Sequence, residues 1–178
     1  MDNIQIIQEC YTRVTLIPVI GSGLSIPFGL PDWRTLIEEA AAHFNVPTDK
    51  ERKIKELLDS YEFVDAIDVI LEVGVDELSL QEFVSEYLLA AKAKASMPKN
   101  NYSDLAELSK IRFITTNYDR YINDIVGVNT FRLEELESIP INQFSYSLYD
   151  HSVIPIHGEI NRPDSIVFSR ESYDEIRN

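Results

Sequence analysis

Three times along this chain an apolar run stops abruptly on a cluster of small or polar residues, and that recurrence limits the fold more than any other feature of the sequence. Val14 to Ile20 breaks into Gly21-Ser22-Gly23-Leu24-Ser25, Ile111 to Thr115 runs into Thr116-Asn117-Tyr118-Asp119, and Ser152 to Ile156 ends at His157-Gly158. Short apolar runs bounded by turn residues read as buried strands. Pro18 lacks an amide hydrogen and therefore predicts a bulge or an unpaired flank within the first run. The stretch from Val128 to Arg132 adds a third strand in chain order, and Ile166 to Phe168 a last short one.

Helical patterns separate these runs. After Pro31, Asp32 stands where it can cap a helix with apolar positions at Trp33, Leu36, Ile37, Ala40, Ala41 and Phe44, the spacing of one helix face. Thr48 with Glu51 and Ser79 with Glu82 have capping-box spacing ahead of further helical patterns, and Phe63, Val64, Ile67, Ile70 and Leu71 mark another between them. Tyr121, Ile122 and Ile125 suggest a short helix, residues 133–150 read as loop, and Ser169 caps a final helix. Strands alternating with helices imply parallel pairing through right-handed crossovers. The expected fold class is α/β: a single domain over 1–178 with a Rossmann-like parallel sheet, helices on both faces, and a helical insertion at about 45–97.

Composition narrows the partners. A formal charge of −14 works against docking on nucleic acid or anionic lipid, since both require clustered Lys and Arg. A phosphate can still be held by backbone N–H groups at the start of a helix. Cys10 is the one cysteine, so neither an internal disulfide nor a thiolate zinc site can form within the chain, and no metal is expected. There is neither a long apolar span nor a basic leader followed by an apolar stretch, so we expect a cytoplasmic protein with no membrane partner.

In open parallel sheets the ligand lies beyond the carboxyl ends of the strands, where residues from several strands converge. The three polar clusters all occupy that position. Gly21-Ser22-Gly23 is neither a P-loop nor a full G-x-G-x-x-G, and the absence of a following lysine argues against kinase-like chemistry.

Taken in order, Gly21-Ser22-Gly23-Leu24-Ser25, Gly29-Leu30-Pro31-Asp32-Trp33-Arg34, Thr115-Thr116-Asn117-Tyr118-Asp119 and His157-Gly158 resemble the signature of the sirtuin family. The resemblance is closer to the sirtuin-like NAD hydrolases of bacterial anti-phage defence than to the deacetylases. Deacetylases of this pattern carry a four-cysteine zinc ribbon, which Cys10 alone cannot form, and they have Gln-Asn-Ile-Asp where this chain has Thr-Asn-Tyr-Asp. The family's fold continues past the histidine block to another glycine-serine strand end, so the resemblance implies a longer protein of which 1–178 is the N-terminal part. It further implies cleavage of the nicotinamide glycosidic bond of NAD, giving nicotinamide and ADP-ribose and depleting NAD in antiviral defence. NAD enters as substrate, and the implied partners are further copies of the chain and a sensor region outside it.

By the same resemblance Asn117 and His157 are the catalytic residues. Asn117 orients the attacking water or the ribose hydroxyls, and His157 serves as general base, for which an imidazole is poised near neutral pH. Gly21, Ser22, Gly23, Ser25, Asp32, Arg34, Thr116 and Asp119 are the expected NAD-binding residues: the glycine turn against the pyrophosphate, Arg34 against a phosphate, Asp119 against the nicotinamide amide. Each has a plainer reading. Asn117 and Asp32 suit helix caps, Asp119 a helix N-terminal charge, and His157 a hydrogen-bonded strand end. Two other functions remain open on the sequence: a non-catalytic NAD or ADP-ribose binding module, and an NAD-dependent protein deacylase.

Overall fold

In the computed structural model, which describes residues 2–13, 15–95, 100–108, 111–132, 134–135 and 151–177, the three apolar runs form adjacent strands of one sheet. β1 is Val19–Ile20, β2 Arg112–Thr115, β3 Asn129–Thr130 and β4 Ser152–Pro155, in the order β1-β2-β4-β3 with every pair parallel. The α/β, Rossmann-like reading therefore holds. Ile20 pairs with Thr115 and Thr115 with Pro155, so the carboxyl ends of the three principal strands lie in one row. The chain divides into two units, Met1–Pro27 with Met97–Ile156 and Phe28–Ser96 with His157–Asn178.

The sheet belongs to the first unit. Ile20, Ile111, Phe113 and Val153 are buried there, each worth roughly 1.5–3 kcal/mol against exposure. β1 is shorter than the run from Val14 to Ile20. Because Pro18 has no N–H, the ladder begins with its carbonyl, which accepts from Ile114 N at 3.0 Å, and the residues before it form the unpaired flank that proline predicts. Val14 lies outside the described residues, as do Leu133 and residues 136–150 of the expected loop.

One helix of this unit escapes the periodicity argument. α1, Asn3–Thr12, is capped reciprocally: Gln5 N donates to Asp2 Oδ1 at 2.8 Å and Asp2 N to Gln5 Oε1 at 3.2 Å. It buries no residue, and Ile4, Ile6 and Ile7 are exposed, so it lacks the single apolar stripe that marks a packed helix. The unit also contains α6, Tyr102–Leu105, and a short π-helical turn at Ile122–Val126 where a short helix is expected.

The second unit is helical. It holds α2 (Trp33–His43), α3 (Thr48–Asp59), α4 (Phe63–Leu71), α5 (Glu77–Lys94) and α7 (Arg170–Arg177). Asp32 caps α2 as expected, accepting from Thr35 N at 2.8 Å, and Ser169 caps α7, accepting from Ser172 N at 3.2 Å. Two expected caps are displaced. Pro47 occupies the cap of α3, leaving Thr48 inside the helix, and Asp76 caps α5 by accepting from Ser79 N, so that helix starts ahead of Ser79.

Ile166–Phe168 is not a strand. Val167 N bonds to His157 O and Ile166 N to Pro163 O, and neither bond continues into a ladder. The segment is apolar because it fills the core of this unit: Ile166 and Phe168 are fully buried, and the Phe168 ring stacks on Trp33 with centroids 5.1 Å apart. No helix among the described residues is long and apolar enough to cross a membrane.

Candidate active site

The carboxyl-end row of the sheet carries a polar knot assembled from three parts of the first unit. At the end of β1, a 3₁₀ turn at Ser22–Leu24 closes with Leu24 N on Gly21 O and Ser25 N on Ser22 O. Such a turn leaves the N–H groups of Ser22 and Gly23 without a partner inside it. Gly23 is exposed, and a methyl group added to it would meet nothing within 4 Å, so its lack of a side chain is not a packing requirement and the turn stays open to close approach.

At the end of β2 the chain is tied to β1. Thr116 N donates to Ile20 O at 3.1 Å, and Asn117 N donates to Thr115 Oγ1 at 3.0 Å. The Asn117 amide nitrogen then reaches three acceptors: Gly21 O at 3.0 Å, Ser25 Oγ at 3.0 Å and Tyr102 OH at 3.3 Å. None of these bonds uses Oδ1. The side chain thus pins the glycine turn to β2 through Nδ2, which is different work from the helix cap that sequence position alone suggests.

Ser25 lies at the centre, 2 % exposed. Its hydroxyl donates to Asp119 Oδ2 at 2.6 Å, and Asp119 Oδ1 accepts from Tyr121 N at 2.8 Å. Bonds of this charge-assisted kind are worth about 1.5–3 kcal/mol each. Asp119 is itself buried, with both oxygens engaged inside the unit. The next residue, Arg120, has φ +64, a left-handed conformation that costs a non-glycine residue on the order of 1 kcal/mol or more. The bond from Tyr121 to Asp119 spans this residue.

Tyr102, from α6, carries no signal in the sequence and yet is part of the knot. It is buried, its hydroxyl lies 3.1 Å from Ser25 Oγ, and burial together with the nearby Asp119 carboxylate pushes its phenol up to about 12. It therefore stays protonated across the physiological range.

The remaining expected site residues belong to the second unit. Asp32 caps α2, and its Thr35 bonds hold its carboxyl below the usual range. Arg34 pairs with Asp59 at 2.9 Å and with Glu38 at 3.6 Å. His157 follows Ile156, whose N–H still bonds to Thr115 O at 3.0 Å. The His157 Nδ1 atom is buried with no hydrogen-bond partner among the described residues, the ring meets Tyr173 edge-on at 5.2 Å, and burial lowers its pKa below 6.5. The imidazole is thus neutral at pH 7, the form a proton acceptor requires.

The unfolded histidine takes up its proton near 6.5 and the folded one only at lower pH, so its contribution to stability is complete above 6.5 and is lost as pH falls through the folded value. Denaturant midpoints of the wild type should therefore drop more steeply below pH 6.5 than those of His157→Gln; parallel curves would refute the buried neutral state.

Residues 111–178 match the model of the SIR2-like domain. Most of the chain is similar to curated proteins named NAD(+) hydrolase ThsA: it is 25% identical over 156 residues to that of Acinetobacter baumannii (strain 532279), 26% over 161 residues to that of Cytobacillus dafuensis, and 25% over 164 residues to that of Bacillus cereus (strain MSX-D12). These alignments cover 86%, 86% and 87% of the chain and 29%, 28% and 30% of the relatives, so it spans under a third of their length. The SIR2-like match contains two of the four sequence blocks, those of Asn117 and His157.

Proposed function

We propose that this chain is the NAD-cleaving part of an NAD glycohydrolase that acts in anti-phage defence by depleting NAD. The observation that carries the proposal is the knot at the carboxyl ends of β1 and β2, where a buried serine and carboxylate hold Asn117 beside an open glycine turn. Cleaving the nicotinamide bond passes through an oxocarbenium-like ribose, so the protein must hold the dinucleotide, present an acceptor to a ribose hydroxyl or water, and take a proton. In this reading the free N–H groups of Ser22 and Gly23 receive the pyrophosphate, with Gly21 allowing its approach. Oδ1 of Asn117, unused among the described residues, accepts from a ribose hydroxyl or the attacking water. Thr116 lines the same strand end, and Ser25 acts from beneath by holding Asn117. His157 is the proton acceptor, a role supported by its half-buried imidazole, whose pKa burial lowers. The names of the relatives support NAD as the substrate.

A second reading is binding of NAD or ADP-ribose without turnover. Asp119 favours it: with both oxygens engaged and the side chain buried, its carboxylate is not offered to the nicotinamide amide. One assay separates the two. The full-length protein incubated with NAD should release nicotinamide and ADP-ribose, and Asn117→Ala and His157→Ala should each lower the rate about 100-fold or more, the scale of losing a positioning or proton-transfer group. Release that survives both substitutions overturns the hydrolase assignment, while NAD binding with no release by the wild type establishes the binding module.

A further inference from the structure

Ser25 and Tyr102 each have a single hydroxyl hydrogen, and that sets which of them donates in their contact. Ser25 has one hydroxyl hydrogen, and it lies on Asp119 Oδ2 at 2.6 Å. In the 3.1 Å contact between Ser25 Oγ and Tyr102 OH the donor must then be the tyrosine, because the serine has no second hydrogen to give. Asn117 Nδ2 also donates to Ser25 Oγ at 3.0 Å, so both lone pairs of that oxygen are taken. Asn117 Nδ2 has two hydrogens for three acceptors, so its 3.3 Å contact with the tyrosine oxygen shares a hydrogen with the 3.0 Å bonds to Gly21 O and Ser25 Oγ. Tyr102 therefore bridges the two residues, donating to one and accepting from the other, in a chain that ends on a carboxylate. Hydrogen bonds linked in this way polarise and strengthen one another.

We propose that Tyr102 is a positioning residue for the reaction, its hydroxyl locking the Asn117 amide with Nδ2 inward so that Oδ1 is presented to the reacting ribose or water. The inference rests on the hydrolase reading above and assigns Tyr102 no contact with substrate. It also explains why a phenol stands there. Phenylalanine would fill the same apolar volume but could neither donate to Ser25 nor accept from Asn117, leaving the amide nitrogen held by Gly21 O and Ser25 Oγ alone. The raised pKa of Tyr102 agrees with this role, since the bridge needs the hydroxyl hydrogen in place.

The test is steady-state NAD cleavage by the full-length protein carrying Tyr102→Phe, with its melting temperature measured alongside to establish that it is folded at the assay temperature. We expect kcat to fall about tenfold or more with KM for NAD within about twofold of the wild type, because a misoriented amide affects the transition state and not the grip on the dinucleotide. Wild-type kcat in the folded variant, or a loss confined to KM, overturns the assignment. Should Tyr102→Phe fail to fold, 3-fluorotyrosine at position 102 keeps the hydroxyl and weakens it as an acceptor; kcat should fall at least about threefold at unchanged KM, and an unchanged kcat overturns the proposal. A wild-type protein that releases no nicotinamide refutes the hydrolase reading and takes this inference with it, whereas an active wild type with an unaffected Tyr102→Phe refutes the inference alone.

Discussion

Gly158→Ala should cost the second unit about 3–5 kcal/mol, a large fraction of the roughly 5–15 kcal/mol that keeps an ordinary domain folded. Gly158 has φ +85, where any side chain is strained, and a methyl group there would overlap the carbonyl of Ser165 and crowd its hydroxyl. That backbone cannot retreat cheaply. Ser165 N donates to Arg162 O at 2.9 Å, its hydroxyl donates to the same carbonyl at 2.7 Å, and Glu159 N donates to Ser165 Oγ at 3.1 Å. The turn after His157 is thus closed on itself and admits only glycine. Urea denaturation of Gly158→Ala against wild type measures the effect, and a loss below about 1 kcal/mol would show that the turn yields. The glycine beside the histidine accordingly has a structural duty of its own, independent of any catalysis by His157.

Asp119→Ala should be nearly as costly for the first unit, at roughly 2–4 kcal/mol, because it leaves the Tyr121 amide without its acceptor and removes the charge-assisted bond of Ser25 in a buried setting. It should also abolish nicotinamide release, since Ser25 would then be free to turn its hydrogen toward Tyr102 or Gly21 and would no longer define where the Asn117 amide points. The interdependence can be measured. In a double-mutant cycle with Ser25→Ala, the two substitutions should fall short of additivity by about 1 kcal/mol or more, because either one already breaks the same bond. Additivity within about 0.5 kcal/mol would mean that the 2.6 Å contact contributes little to the fold.

Much of this molecule is legible in its residues, and the reasons differ from element to element. The strands are readable because parallel strands must be apolar and must stop at turn residues, and the ladder partners Ile20, Thr115 and Pro155 each stand one or two positions before a polar cluster. α2 and α4 are readable because one apolar face repeats at helical spacing. Local chemistry misleads where two neighbours both suit a helix start, since Pro47 takes the cap position that Thr48 fits by composition, and Asp76 forestalls Ser79. Ile166–Phe168 looks like a strand because core residues of an irregular segment and of a strand are equally apolar, and only the backbone bonding distinguishes them. α1 has its capping box in plain view at Asp2 and Gln5, and the absence of a buried face hides it.

What the order of residues determined by itself is the α/β class, the position of the polar clusters past the strand ends, and the resemblance to a sirtuin-like NAD hydrolase, since these depend on short-range pattern and on motifs contiguous in the chain. What the tertiary structure decided is how the knot works: that Ser25 is a buried donor to Asp119, that Asn117 uses Nδ2 and not Oδ1 toward the described residues, and that Tyr102 joins them. Those bonds link residues as far as 94 positions apart, and a hydroxyl has no preferred partner until folding brings one within reach and excludes the water that would otherwise compete for it.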